Sequence, residues 1–182
     1  MNLFDDIKVY ENVFGGDQLQ KLIKLSLRGK WGFQSSSTHS KNKKFLCMEL
    51  TEKFVTEELL RDINNLTGQQ FILHRAYFNG SFYGMAGFPH YDSEEPNRFT
   101  FLVYLNEEWN FLWGGQTIFF DRFVNTESKQ VEVNSQNHKS FFPVWNTALF
   151  FPGNIFHYAE SPTRDCQDIR LTLAFKLERI LT

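Results

Sequence analysis

His90 and Asp92 are separated by a single residue, and one further metal-ligating side chain, His157, stands far along the chain. In an extended segment, side chains two apart point to the same face. His90 and Asp92 are therefore expected to reach one ion together, with Tyr91 facing away. A distant strand carrying His157 would complete a two-histidine, one-carboxylate face. Such a face leaves coordination positions open and suits a ferrous ion that activates oxygen. The same donors also hold catalytic zinc. A His-x-Asp triplet arises by chance in many chains, so its weight depends on the elements around it.

Those elements change character along the chain. Leu19, Leu22, Ile23 and Leu27 follow helical spacing after Gly15-Gly16-Asp17, with Gly29 as a stop. Val55, Leu59, Leu60, Ile63 and Leu66 repeat the pattern and end at Gly68. Between the two, Gln34 to Lys44 reads as a polar loop. From Phe71 onward the signal is of strands: Phe71–Phe78, Arg98–Leu105, Gln116–Phe120, Ala148–Phe151 and Ile169–Leu177 are rich in β-branched and aromatic residues. Asn79-Gly80, Gly114-Gly115, Pro152-Gly153 and Ser161-Pro162 read as turns between them. Short strands with regular turns argue for a sandwich or jelly roll. Helices that precede the strands are then expected to buttress one outer face. The fold expected is mainly β with N-terminal helices (α+β). It is a single domain over 1–182, with helical support over about 1–70 and a barrel over about 71–180.

Composition narrows the partners. A net charge of −2 provides no basic field that would draw the chain to nucleic acid or an anionic membrane. No apolar run approaches transmembrane length, and the N-terminus lacks the apolar core of a signal peptide. Cys47 and Cys166 form no CxxC unit and suit a reduced, cytoplasmic protein. The 21 phenylalanines fit a Phe-rich core.

The last strand says which side of the sheet holds the site. Leu171, Leu173, Phe175 and Leu177, with Ile169, share one face; Arg170, Thr172, Ala174 and Lys176 share the other. If helices cover the apolar face, Arg170 and Thr172 point into the cavity. A buried guanidinium without a counter-ion is costly, so Arg170 wants an anion. Its fork suits a carboxylate held through two parallel hydrogen bonds, as at the far end of a dicarboxylate cosubstrate. That favours iron over zinc at the triad.

These motifs, in order, give the chain a specific resemblance. Tyr77-Phe78-Asn79-Gly80 and Tyr83 lead to His90-Tyr91-Asp92. Arg98 through Asn106, Trp109 and Gly114-Gly115-Gln116-Thr117-Ile118-Phe119 follow. Pro143, Asn146 through Phe151, His157 and Arg170-Leu171-Thr172 close the series. Together they resemble the Fe(II)/2-oxoglutarate-dependent dioxygenase superfamily, near its prolyl 4-hydroxylase-like group, over roughly the C-terminal 60% of the chain. The resemblance implies a double-stranded β-helix barrel in which His90, Asp92 and His157 bind Fe(II). It implies that Arg170, assisted by Thr172, holds the 2-oxoglutarate C5 carboxylate, that Tyr77 contacts the cosubstrate, and that Tyr83 lies nearer the substrate. It further implies O2 as oxidant, ascorbate as an optional reductant, succinate and CO2 as co-products, and hydroxylation of a peptide side chain, prolyl or other, or of a small metabolite. Two departures leave the substrate open. The group usually anchors its cosubstrate on a lysine nearer the distal histidine, and its Gly-Gly-Glu-Thr stands here as Gly114-Gly115-Gln116-Thr117. Two rival readings are a non-catalytic, cupin-like binding barrel and an oxidative demethylase of nucleic acid, the latter disfavoured by the charge.

Other candidates read as structural. His74 is expected to be a satisfied sheet residue, His39 and His138 to lie in polar surface loops, and Arg98 to be structural or surface-exposed. Arg164 sits in an exposed loop and yields the anchor role to Arg170. Trp109 and Trp113 either cap the cavity or pack beside the Gly-Gly turn.

Overall fold

The computed structural model describes residues 3–35, 44–124 and 131–180. After a short 3-10 turn and strand β1 (Lys8–Tyr10), helix α1 runs over Gly16–Arg28 and stops at Gly29. Hairpin strands β2 (Gly32–Ser35) and β3 (Lys44–Glu49) follow. A wide π turn over Phe54–Leu59 then feeds α2 (Leu60–Thr67). That helix ends at Gly68, whose φ of 67° is the left-handed cap conformation that glycine adopts without strain. The remaining strands are β4 (Phe71–Ser81), β5 (Arg98–Tyr104), β6 (Thr117–Val124), β7 (Val131–Phe141), β8 (Ala148–Pro152), β9 (Phe156–Ala159) and β10 (Arg170–Arg179).

They form two antiparallel sheets, a large one ordered β1-β8-β5-β10-β4-β3-β2 and a small one ordered β7-β6-β9. The two sheets are the walls of the expected jelly roll. Leu19 and Leu22 of α1 and Val55, Leu59 and Ile63 of the second helical segment pack on Phe78, Phe101, Val103, Leu173, Phe175 and Leu177 from the outer face of the large sheet. The phenylalanines concentrate here: Phe99 stacks on Phe150 at 5.1 Å, and Phe71 meets Phe150 edge-on at 5.7 Å. Each such ring, fully removed from water, contributes about 1.5–3 kcal/mol. The inner face builds a second cluster from Tyr77, Leu102, Tyr104, Leu149, Phe151 and Ala174 with Phe119 of the small sheet. The face assignment of the last strand thus stands, with Arg170 and Thr172 inside.

Several expectations need correction. The region before Phe71 is not only helical support, because β1, β2 and β3 extend both edges of the large sheet. These are short segments of three to six residues, and pairing with an existing edge supplies backbone hydrogen bonds whatever their side-chain pattern. Asn79-Gly80 is no turn but lies within β4. A Cβ at Gly80 would meet Ile169, Leu46 and Trp31 at 3.2–3.3 Å, so the glycine serves close packing. Leu27, Leu66 and Ile169 are exposed, unlike the apolar neighbours with which their spacing groups them. Gln34, Ser35 and Lys44 of the expected polar loop belong to strands, and 36–43, with His39, lie outside the described residues. His138 is exposed as expected but sits on β7 rather than in a loop.

Candidate active site

His90 and His157 are brought together by backbone pairing. The His90 amide donates to the His157 carbonyl at 2.9 Å, and the His157 amide returns the bond at 2.8 Å. The triplet itself lies on no regular strand. His90 makes a single bridge to β9, and Asp92 is fixed because its amide donates to the Gly153 carbonyl at 2.8 Å. The Pro152-Gly153 turn therefore sets the register of the triad. Each histidine is oriented a second time, since His90 Nδ1 meets the Phe88 carbonyl and His157 Nδ1 the Ile155 carbonyl, both at 2.8 Å. A proton on Nδ1 leaves Nε2 as the donor atom in both rings. His90 Nε2 lies 3.5 Å from Asp92 Oδ1, and His157 Nε2 lies 3.6 Å from Oδ2. One ligand atom from each of the three residues falls within 4.8 Å of the others. Phe151 and Phe119 wall the His157 ring at 4.8 and 5.6 Å.

The electrostatics suit a cation. Burial alone would raise the Asp92 carboxyl, but the Lys176 ammonium, then His157 and His90, hold it well below the usual carboxylate range. Burial pulls His157 down to about 4 against the opposing pull of Asp92, so its imidazole is neutral and its lone pair available near neutral pH. With Asp92 anionic and His157 neutral, the two histidines and one carboxylate form the donor set a ferrous ion takes with open positions remaining.

A second polar cluster occupies the opposite part of the same cavity, of about 580 Å³. Arg170 is 3% exposed, and its hydrogen-bond partners are neutral. Its Nε donates to the Gly115 carbonyl at 2.5 Å, its Nη2 to Thr117 Oγ1 at 2.9 Å, and its guanidinium lies 5.5 Å from the centre of the Tyr104 ring. The close approach requires glycine at 115. Its φ is +71°, and a Cβ there would stand 2.8 Å from the Trp109 ring and 3.2 Å from Arg170 Cδ. In register beside Arg170 and Thr172 lie Ser81 and Asn79 of β4. Thr172 Oγ1, Ser81 Oγ and Asn79 Oδ1 are shielded from solvent without a hydrogen-bond partner, and all three residues line the cavity. Buried polar atoms are normally paired, so a cation beside orphaned hydroxyls fits an anionic ligand such as a carboxylate.

The expected residues distribute unevenly. His90, Asp92, His157, Arg170, Thr172 and Tyr77 all line this one cavity. Tyr77 lies opposite Ala174 in the sheet register and against Lys176, toward the triad rather than toward Arg170. Tyr83 is 63% exposed and outside the cavity lining. Trp109 and Trp113 pack edge-on at 5.4 Å beside the Gly-Gly turn, where Trp109 donates to the Gly114 carbonyl, and neither lines the cavity. His74 pairs with Glu178 at 2.6 Å, and Arg164 is exposed. Sequence reasoning missed Thr100, Lys176, Ser81 and Asn79. Lys176 was detectable, since it shares the inward face of β10 with Arg170 and Thr172. The other three required the strand register.

A barrel whose one cavity holds two histidines and an aspartate at one end and a buried arginine at the other has the side chains that a mononuclear metal oxygenase of the 2-oxoglutarate type would use. The profile of the 2OG-Fe(II) oxygenase superfamily matches residues 67–175, and the chain belongs to that family. Solved structures share the fold at low identity. A prolyl-4-hydroxylase of Pseudomonas putida aligns with a TM-score of 0.66 and 15% identity, over 96% of this chain and 93% of its own. A Trichoplax adhaerens prolyl hydroxylase, in complex with a hypoxia inducible factor oxygen degradation domain peptide fragment, aligns with a TM-score of 0.68 and 15% identity over 95% and 83%. HygX of Streptomyces hygroscopicus, with nickel, 2-oxoglutarate and hygromycin B bound, gives 0.65 and 12% over 96% and 84%. No curated protein matches this sequence. Among the described residues no helix is long and apolar enough to cross a membrane.

Proposed function

We propose that the protein is a 2-oxoglutarate-dependent hydroxylase acting on an unactivated C–H bond of a peptide side chain, prolyl residues included, or of a small metabolite. One observation carries the reading: a single cavity joins the His90–Asp92–His157 triad to a buried guanidinium flanked by three orphaned polar atoms. The reaction consumes O2 and 2-oxoglutarate, replaces the substrate hydrogen by hydroxyl and yields succinate and CO2. Ferrous iron, held by His90, Asp92 and His157, would supply the oxygen activation and ascorbate a means of keeping the metal reduced.

The chain's own residues would bind, orient and exclude water. Arg170 and Thr172 take the C5 carboxylate, and the unpartnered hydroxyl of Ser81 stands ready to complete its hydrogen bonds. Tyr77, its phenol kept neutral by burial, lines the route between anchor and triad. Leu102, Phe151 and Ala174 form a dry wall in which a reactive centre is protected from solvent. A peptide substrate is supported by the apolar rim. The Phe82–Tyr83 and Phe111–Leu112 turns, all exposed, are both tied to the Ser161–Thr163 loop, and Tyr83 would meet an extended substrate there. We propose that metal binding and cosubstrate anchoring share a single domain over 1–182. Cys47 and Cys166 are both free, which supports a reduced, cytoplasmic setting.

The test is succinate formation from 2-oxoglutarate under Fe(II) and O2, screened for stimulation by peptides, amino acids and metabolites, with a mass gain of one oxygen on the substrate. His90→Ala and Asp92→Ala should abolish it, and wild-type-like turnover in both would refute the reading. The binding-barrel alternative instead expects Arg170→Ala to leave function intact and 2-oxoglutarate to give no thermal stabilisation.

A further inference from the structure

Lys176 faces the cavity six residues beyond the anchor arginine, and neither metal ligation nor carboxylate anchoring calls for it. Its ammonium contacts Asp92 Oδ2 and donates to Thr100 Oγ1 at 3.1 Å. Thr100 in turn donates to the same Oδ2 at 2.5 Å. The Tyr77 ring centre lies 6.0 Å from Nζ. Two donors thus converge on one carboxylate oxygen. Oδ1 takes neither of these bonds and faces His90 Nε2 at 3.5 Å. With its ammonium engaged by Asp92 and Thr100, Lys176 is poorly placed to receive a substrate anion.

We propose that Lys176 is a positioning residue of the metal centre. With Thr100 it fixes Asp92 as a one-oxygen ligand through Oδ1, and it sets a permanent positive charge beside the ion. This inference rests on the triad's being a metal site. Its physical content is a charge balance. An ammonium held against the only anionic ligand competes with the cation for that ligand and repels the cation through a poorly screened interior. The repulsion is greater for a trivalent than for a divalent ion, so Lys176 weakens divalent binding and favours the ferrous over the ferric state. Thr100, being neutral, orients the carboxylate without this effect.

The experiment compares wild type with Lys176→Met, Lys176→Arg and Thr100→Val. Mn(II) affinity is measured by titration calorimetry without cosubstrate, and the ferric/ferrous midpoint potential by anaerobic titration of the iron-loaded proteins. Lys176→Met should bind Mn(II) about tenfold more tightly, the equivalent of one modest charge–charge interaction. Its midpoint should fall by about 30 mV, because the one extra charge of the ferric ion feels half the repulsion of a divalent ion, about a threefold shift, and a tenfold shift is about 59 mV for one electron. Lys176→Arg keeps the charge and should stay near wild type, and Thr100→Val should not bind more tightly. If Lys176→Met does not fold, Lys176→Gln should show the same two shifts. A folded neutral variant that binds Mn(II) no more tightly than wild type overturns the proposal, as does an arginine variant shifted as far as the methionine one. Wild-type protein that binds no Mn(II) overturns the metal-site reading itself, and this inference with it.

Discussion

Thr172→Val should stabilise the empty protein and weaken its hold on 2-oxoglutarate. The threonine is 1% exposed, and its hydroxyl has no partner among the protein's own groups. A buried hydroxyl left unpaired costs about 1–3 kcal/mol, and valine replaces it with a methyl of similar size. Part of that cost returns on substitution, so a gain of about 1 kcal/mol is expected, a rise in Tm of roughly 2–4 °C for a chain of this length. With cosubstrate bound, the same hydroxyl would donate to a carboxylate, a bond contributing about 1.5–3 kcal/mol. Losing it should raise the KM for 2-oxoglutarate about tenfold or more. Thermal denaturation of the metal-free protein gives the first sign, and succinate formation against 2-oxoglutarate concentration gives the second. A variant that is less stable than wild type, with KM unchanged within about twofold, would refute the assignment of Thr172 to the anchor.

Other perturbations separate the anchor, the triad and the turn that supports them. Arg170→Met removes the buried cation at the anchor end, and an unpaired buried carboxylate should cost about 3–5 kcal/mol of cosubstrate binding while Mn(II) affinity changes little; equal loss of metal would contradict this. Stability of the metal-free protein should depend on His157. Its folded pKa, about 4, lies below the ordinary 6.5, so between these values the unfolded chain binds the extra proton. The fold therefore loses stability as pH falls through that window, by about 3 kcal/mol in total, and His157→Asn should flatten the slope; an unchanged slope in chemical denaturation would exclude His157 as its source. Gly115→Ala forces a side chain onto a left-handed backbone with the Trp109 ring 2.8 Å away, so a loss of about 1–3 kcal/mol together with a raised KM for 2-oxoglutarate is expected; a raised Tm with unchanged KM would contradict it.

Much of the site was legible because the chemistry and the periodicity agree. Alternation along Ile169–Leu177 assigned Arg170 and Thr172 to the inside, and the fold buries both. The triad was legible as a set of donor types. How it is held was not, because His90, Asp92 and His157 are aligned by backbone bonds to one another and to Gly153, which carry no side-chain signature. Ser81 and Asn79 stayed hidden for a related reason. Asn79-Gly80 reads as a turn, and pairing with β10 and β3 on either side carries β4 through it, with Trp31, Leu46 and Ile169 packed against Gly80. The small edge strand β1 is likewise created by a partner distant in sequence, β8. Leu27 illustrates the limit of periodicity, since it keeps helical spacing yet lies 79% exposed near the end of α1.

The most direct test of the whole account is calorimetric binding of 2-oxoglutarate under anaerobic conditions, with and without Mn(II). The wild-type protein should bind the cosubstrate tightly only when the metal is present, and both Asp92→Ala and Arg170→Met should abolish that metal-dependent tight binding. Binding that is indifferent to the metal, or that survives loss of either end of the cavity, would contradict a site built from His90, Asp92 and His157 on one side and Arg170 on the other.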